Sequence, residues 1–197
     1  MSGGDQAGGP DPSLATIVLA AGEGRRFGGR KQLAPVEGEP MLARALAAVA
    51  GFGGRQVVVL GADAEAITAL SIFAGWAVEV AEDWALGQGA SLRAGLRRAG
   101  DVAAAMIVLG DLPWLRRAAP ARVAAAARER PGPVAFRAFE GTVPGHPVLI
   151  RGELLARARR APDAGLGKIL GGEQVVAVPC PGLGVARDVD VPEDLIP

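Results

Sequence analysis

The chain has little of what several common functions require. Its 197 residues include a single cysteine, Cys180, which excludes a disulfide framework, argues against a zinc site and fits a reducing cytoplasm. Lys plus Arg and Asp plus Glu both total 21, so no net charge attracts the protein to nucleic acid or to an anionic membrane. No apolar run is long enough to span a bilayer. We therefore expect a cytoplasmic protein without nucleic-acid or membrane partners, in which any anion site is local.

The first thirteen residues differ in composition from the rest of the chain. Residues 1–13 read MSGGDQAGGPDPS, without a basic start or an apolar core, which predicts a flexible tail rather than a signal peptide. Residues 14–197 contain no linker and no internal repeat. A chain of this length buries roughly 70% of its unfolded surface. We expect a single domain over residues 14–197, large enough to form a pocket.

Short apolar runs rich in β-branched residues predict the strands. The runs are TIVLAA, QVVVLG, WAVEV, AMIVLGD, PVAF, HPVLI and VVAVP. Helical spacing is found at 41–49, 64–73, 91–99, 120–130 and 153–160. This alternation predicts an α/β protein, a Rossmann-like three-layer sandwich with a mostly parallel sheet. Because such sheets bind ligands beyond the carboxyl ends of their strands, the residues after TIVLAA and MIVL are the first candidates for a site.

The stretch after TIVLAA is a loop rich in glycine and cations, LAAGEGRRFGGRK at residues 19–31. It departs from the dinucleotide fingerprint because Phe27 stands at the third glycine position. It departs from the P-loop because Arg30 and Gln32 flank Lys31, where glycine and Ser or Thr are required. Its glycines allow close approach of the backbone to a ligand, and its cations favour a triphosphate as that ligand. The alternative is that the loop is a solvated basic turn without a ligand. These cations are Arg25, Arg26, Arg30 and Lys31.

Carboxylates follow at two further places. Asp111, in GDLP after MIVL, suits a hard divalent ion that takes carboxylate oxygens and substrate phosphates, although a solvated aspartate is the plain alternative. In DVDVPEDL an extended backbone would place Asp188 and Asp190 on one face, both within reach of the same ion. Asp190 could instead cap a terminal helix that begins at Pro192. Which of the two is the second metal ligand stays open.

These motifs together resemble a known family. LAAGEGRRFGGRKQLAPVEGEPML is similar to the signature L-A-A-G-x-x-x-R-x-G-x-x-K-x-L-x-P-x-x-G-x-P-x-L of the MobA-like nucleotidyltransferases. The likeness continues through GQGASLRAGL, VLGDLP, GHPVLI and DVDVPEDL in the family's order, and within the family it is greatest to the molybdenum cofactor cytidylyltransferases. The resemblance implies a sheet of the nucleotide-diphospho-sugar transferase type. It also implies Mg²⁺-dependent transfer of CMP from CTP to molybdopterin, with release of pyrophosphate.

The resemblance also assigns roles to residues. Catalysis falls to Lys31, Arg26 and Asp111, Mg²⁺ binding to Asp111 and Asp190, and contact with the pterin substrate to His146, for which a purely structural role is the alternative. Ala21 is associated with CTP rather than GTP, and Ser91 is expected to cap a helix. In PDAGLGKIL, Asp163 and Gly165 match the family, whereas Gly167 replaces an arginine. The nucleotide-binding residues are Leu19, Ala20, Ala21, Gly22, Gly24, Arg26, Lys31 and Ser91.

Two other functions remain open. One is a MobA-like transferase with another base or acceptor, such as GTP or a sugar or polyol phosphate. The other is a non-catalytic protein that delivers cofactor to a recipient molybdoenzyme, which would need the glycine loop but neither Asp111 nor Asp190. The chain's single histidine and the absence of a Ser/His/Asp set are compatible with phosphoryl chemistry. A phosphomonoester near neutral pH is already a dianion and needs no general base.

Overall fold

The structure of the protein, a computed structural model, describes residues 11–160 and 165–196. In this part of the chain seven strands form one sheet with the order β5-β4-β1-β6-β8-β7-β9, and β2 and β3 pair separately as a small hairpin. The strands are β1 (Asp11–Ala20), β2 (Pro35–Val36), β3 (Glu39–Pro40), β4 (Gly53–Leu60), β5 (Ala77–Val80), β6 (Ala104–Leu109), β7 (Ala135–Glu140), β8 (Val143–Arg151) and β9 (Val175–Pro179).

The sheet is parallel except at β8. β1 is parallel to β4 and β6, β4 to β5, and β7 to β9, whereas β8 runs antiparallel to both of its neighbours. Val148 of β8 pairs with Ile107 of β6, so the first half of β8 lies at the edge where β6 ends. The motif GHPVLI therefore begins beside the motif VLGDLP. The predicted mostly parallel α/β sheet is confirmed.

Helices cover both faces of the sheet. They are α1 (Met41–Val49), α2 (Ala64–Thr68), α3 (Gln88–Ala99), α4 (Ala118–Glu129), α5 (Gly152–Arg160) and α6 (Leu166–Leu170). Helices α1, α2 and α4 pack on the face that carries Val18 and Ala20 of β1, and α3, α5 and α6 pack on the face that carries Ile17 and Leu19. Gly95 lets α3 approach the sheet, because a Cβ there would lie 2.6 Å from Cγ2 of Ile17. The three predicted layers are present.

Several predicted boundaries differ from the structure. Helix α1 matches 41–49, but α2 ends at Thr68, whose Oγ1 donates to the carbonyl oxygen of Ala64 at 2.6 Å. Helix α3 begins at Gln88, after Gly87 with φ +114°, so the prediction that Ser91 caps this helix is wrong.

Of the predicted tail, residues 1–10 lie outside the described residues and residues 11–13 belong to β1. Asp163 also lies outside the described residues. Within the described part, no helix combines the length and hydrophobicity needed to cross a membrane.

Candidate active site

The glycine loop turns tightly after β1 and is held by its own side chains. Two short 3-10 turns, Arg25–Phe27 and Lys31–Leu33, follow each other in it. Gly24 has φ +65°, and a Cβ there would lie 2.9 Å from Cβ of Lys31, so both conformation and space require glycine. Nε2 of Gln32 donates to the carbonyl oxygens of Ala20 at 3.1 Å and Gly22 at 2.9 Å. The loop is therefore tied to the end of the strand that precedes it.

Lys31 brings the loop and the carboxylates together. Its Nζ lies 2.7 Å from Oδ2 of Asp111, 2.7 Å from the carbonyl oxygen of Val189 and 3.8 Å from Oδ1 of Asp190. The side chains of Lys31 and Asp111 are only 10% and 21% exposed, which places this ion pair largely out of water. The three predicted residues Lys31, Asp111 and Asp190 thus converge at the carboxyl edge of the sheet.

Asp111 is an incompletely satisfied carboxylate. Burial raises its pKa, the neighbouring Lys31 charge lowers it, and the Asp188 charge raises it again, with burial the largest of these effects. Its Oδ2 accepts from Lys31, but its Oδ1 is buried and has no hydrogen-bond partner among the described residues. A buried anionic oxygen without a donor is unfavourable. It is also the kind of ligand that a hard divalent cation takes.

The segment around Asp190 brings one of its two aspartates to the Lys31 cluster. Residues 187–191 form no strand, and only Asp190 reaches the Lys31 cluster, where its Oδ2 also pairs with Nη1 of the exposed Arg26 at 3.0 Å. The alternative of Asp190 as a helix cap is wrong, because the residue that caps the short 3-10 helix Pro192–Leu195 is Val191. The carboxylate of Asp194, inside that helix, accepts from the backbone N–H groups of Val191 at 2.9 Å and Asp190 at 2.7 Å. These two hydrogen bonds lower the pKa of Asp194.

A cavity of about 410 Å³ opens beside this cluster. Arg25 lines the cavity and forms an ion pair with Glu23 at 2.6 Å. Arg26 forms an ion pair with Asp190. Arg30 is exposed and does not line the cavity. Of the four cations of the glycine loop, Lys31 is therefore the one that is buried and lines the cavity. The predicted site residues that line the cavity are Leu19, Ala20, Ala21, Gly22, Gly24, Lys31, Ser91 and Asp111.

The lining of this cavity includes residues that were not predicted from the sequence, among them Gln32 and Trp84. Gln32 is buried against the loop, and Trp84 lines the same cavity. Gln32 follows Lys31 directly, and Trp84 lies three positions before the first residue of the GQGAS motif, so proximity to a recognised motif was the available signal. Neither residue type indicates a ligand contact by itself.

His146 lies outside this cavity, in a smaller one of about 220 Å³. It is half-buried, and its Nδ1 lies 3.2 Å from the carbonyl oxygen of Ile107. Burial lowers the pKa of His146 to about 4, and the charge of Arg137 adds to that effect. The imidazole is therefore neutral near pH 7. Asp188 lines this second cavity and not the Lys31 cluster.

The parallel sheet with a glycine loop, a buried lysine and a carboxylate at its carboxyl edge defines the class of α/β nucleotide-binding transferases. Residues 16–178 match the model of the MobA-like NTP transferase domain, and the chain belongs to this family. In the described residues, no three His, Cys, Asp or Glu side chains converge as a metal cage built from protein alone.

Comparison with individual proteins gives the same fold. The chain is 31% identical over 147 residues to nicotine blue oxidoreductase of Paenarthrobacter nicotinovorans, covering 71% of each chain. It superposes on the Rv0371c homolog from Mycobacterium sp. strain JC1 with a TM-score of 0.81 and 25% identity, covering 93% of both chains. It superposes on Rv0371c from Mycobacterium tuberculosis H37Rv, in a complex with manganese, with a TM-score of 0.75 and 26% identity, covering 92% of this chain and 95% of that one.

Proposed function

We propose that the protein transfers CMP from CTP to the phosphate of molybdopterin and releases pyrophosphate. The observation that carries the proposal is the meeting of Lys31 with Asp111 at 2.7 Å on the wall of the cavity formed by the glycine loop. Membership of the MobA-like family supports nucleotidyl transfer. Ala21, buried on the same wall, is the residue that the family resemblance associates with CTP.

Asp111 and Asp190 would hold a divalent cation, for which we propose Mg²⁺. The buried Oδ1 of Asp111 without a partner fits such an ion, and the manganese complex of Rv0371c is a precedent in a related protein. When bound, the ion would neutralise phosphate charge and favour nucleophilic attack at phosphorus. Two protein carboxylates suffice because Mg²⁺ keeps waters and takes further oxygens from substrate phosphates.

The remaining chemistry is positioning and charge neutralisation. An oxygen of the acceptor phosphate forms a bond to the α-phosphorus of CTP, and the bond from that phosphorus to the bridging oxygen breaks as pyrophosphate leaves. The acceptor phosphate has a second pKa near ~6, so it attacks as a dianion and needs no base. Lys31 and Arg26 would stabilise the charge that develops on the departing pyrophosphate. His146, neutral at pH 7, is available as a hydrogen-bonding group for the acceptor.

The test is product formation with each nucleotide. The protein is incubated with Mg²⁺, molybdopterin and CTP, GTP, ATP or UTP, and the product is identified by mass alongside pyrophosphate release. We expect the cytidylyl product with CTP, and its loss in Asp111→Ala. Asp101→Ala is the matched control, because Asp101 is an exposed aspartate before β6, at the opposite edge of the sheet. Wild-type turnover in Asp111→Ala would remove the metal role, and preference for GTP would remove the role of Ala21.

The name of the nicotine blue oxidoreductase relative provides a second candidate, a redox function. The loop argues against dinucleotide binding in the usual mode, since Phe27 stands at the third glycine position. A thermal-shift titration with NADH and NADPH beside the four nucleoside triphosphates separates the candidates. Stabilisation by a nicotinamide nucleotide alone would favour the redox function.

A further inference from the structure

The smaller cavity beside the reaction centre contains a charged residue with no assigned role. Arg137, His146 and Asp188 line this space of about 220 Å³. Leu109, at the end of β6, borders both this cavity and the nucleotide cavity. Asp188 is also close enough for its charge to act on Asp111. A ligand in the smaller cavity would therefore be a neighbour of the Lys31 cluster.

Arg137 is a partly buried cation that forms no ion pair within the part of the chain that the structure describes. Its Nε donates to the carbonyl oxygen of Gly145 at 2.9 Å, and Nη2 lies 3.5 Å from that of Pro144. Among the described residues no carboxylate pairs with it, unlike Arg26 and Arg44, which each have an acidic partner. Burial lowers the pKa of Arg137. A guanidinium has five N–H donors, so most of those on Arg137 remain available.

The other polar groups of the cavity complement this cation. If Nδ1–H of neutral His146 donates to the carbonyl oxygen of Ile107, its Nε2 is a hydrogen-bond acceptor. Asp188 is an acceptor as well and repels anions. An anionic ligand would thus be drawn to the Arg137 side of the cavity, with any N–H or O–H groups directed toward His146 and Asp188.

We propose that Arg137 is a specificity-determining residue that binds an anionic oxygen of the acceptor substrate. The inference rests on the nucleotidyl transfer proposed above, because it places the acceptor in the cavity next to the nucleotide. The general reason is that a guanidinium removed from water and left unpaired is unfavourable, whereas a charge-assisted pair with an oxyanion is among the stronger hydrogen bonds. Inorganic phosphate is the simplest ligand of this chemistry.

The single histidine of the chain provides a direct probe of this cavity. In protein labelled with ¹⁵N-histidine, the only imidazole signals are those of His146. With CTP present to fill the nucleotide cavity, phosphate is titrated against sodium chloride of equal ionic strength. We expect a saturable shift of the His146 signals with phosphate alone. In Arg137→Gln the affinity for phosphate should fall at least tenfold, and Arg137→Lys should retain part of it.

Arg128→Gln is the matched control, because Arg128 is an exposed arginine on α4 and does not line the cavity. A thermal melt shows whether each variant is folded, and Arg137→Lys carries the test if Arg137→Gln is not. Equal phosphate affinity in wild type and the Arg137 variants, or no saturable shift in wild type, overturns the proposal. In the transfer assay, Arg137→Gln should raise the acceptor KM at least tenfold and leave the KM for CTP unchanged. If molybdopterin is not a substrate, the proposed function fails while the phosphate titration still decides the role of Arg137.

Discussion

Acidification should destabilise this protein through His146. The pKa of this residue is lowered from 6.5 to about 4, chiefly by burial. Between these values the unfolded chain binds a proton that the folded protein does not, so stability is present above pH 6.5 and is lost as the pH falls toward 4. Because the chain has no other histidine, this pH window reports on one imidazole.

The size of the stability loss follows from the shift in the pKa of His146. One pKa unit corresponds to about 1.36 kcal/mol, so the whole window is worth about 3 kcal/mol, of which about 2 kcal/mol is already lost at pH 5. For a domain of this size a loss of about 2 kcal/mol lowers the Tm by roughly 4–8 °C. Asp111, whose pKa burial raises, acts in the opposite sense, since its contribution falls as the pH rises.

The comparison with His146→Asn isolates the histidine. Asparagine keeps an amide N–H that can donate to the carbonyl oxygen of Ile107 but does not titrate, and the contribution of Asp111 cancels between the two proteins. Urea unfolding at pH 7.5, 6 and 5 should show wild type losing about 2 kcal/mol more than the variant by pH 5. Equal losses in the two proteins, or an NMR titration of His146 with a midpoint near 6.5, would refute the reasoning.

Two further substitutions test the Lys31–Asp111 pair and the packing around Gly145. Lys31→Met leaves the Asp111 carboxylate buried without its partner and should lower the free energy of unfolding by about 3 kcal/mol, while the double variant with Asp111→Leu should recover much of the loss. Urea unfolding measures both, and an unchanged Lys31→Met would contradict the picture of a buried pair. Gly145→Ala should cost about 2 kcal/mol or more, because its Cβ would lie 2.1 Å from the carbonyl oxygen of Val185. Gly132→Ala, with open space around it, should be nearly neutral, and similar thermal melts for the two alanine variants would count against this packing.

Local pattern predicted much of the fold and part of the site. Continuous β-branched runs gave the sheet strands, because only a strand buried on both faces carries such a run. Lys31 and Asp111 were found through a motif and through the rule that ligands bind at the carboxyl ends of strands. They meet because Leu19 and Leu109 are paired on adjacent parallel strands, β1 and β6, which end at the same edge.

The parts that could not be predicted depend on contacts distant in sequence. Asp190 lies where it does because Lys31, 158 residues before Val189, donates to the carbonyl oxygen of Val189, and Asp194 fixes the adjoining backbone. The antiparallel direction of β8 could not be predicted from HPVLI, because a run of apolar residues does not indicate the direction in which its strand joins the sheet. Without that reversal, Arg137 could not be placed beside His146. The true start of α3 depended on the conformation of Gly87 rather than on the capping tendency of Ser91.

The reversed strand β8 also means that the two cavities are bordered by different kinds of chain connection. The cavity at the glycine loop depends on crossovers between parallel strands, whereas the rim of the smaller cavity belongs to a hairpin whose two exposed turn residues, Gly141 and Thr142, join β7 to β8. Hairpin tips accept insertions and exchanges more readily than crossovers do. With the acceptor placed as we propose, substitutions in this one turn are therefore expected to alter the binding of the acceptor while leaving the glycine loop and the Lys31–Asp111 pair in place.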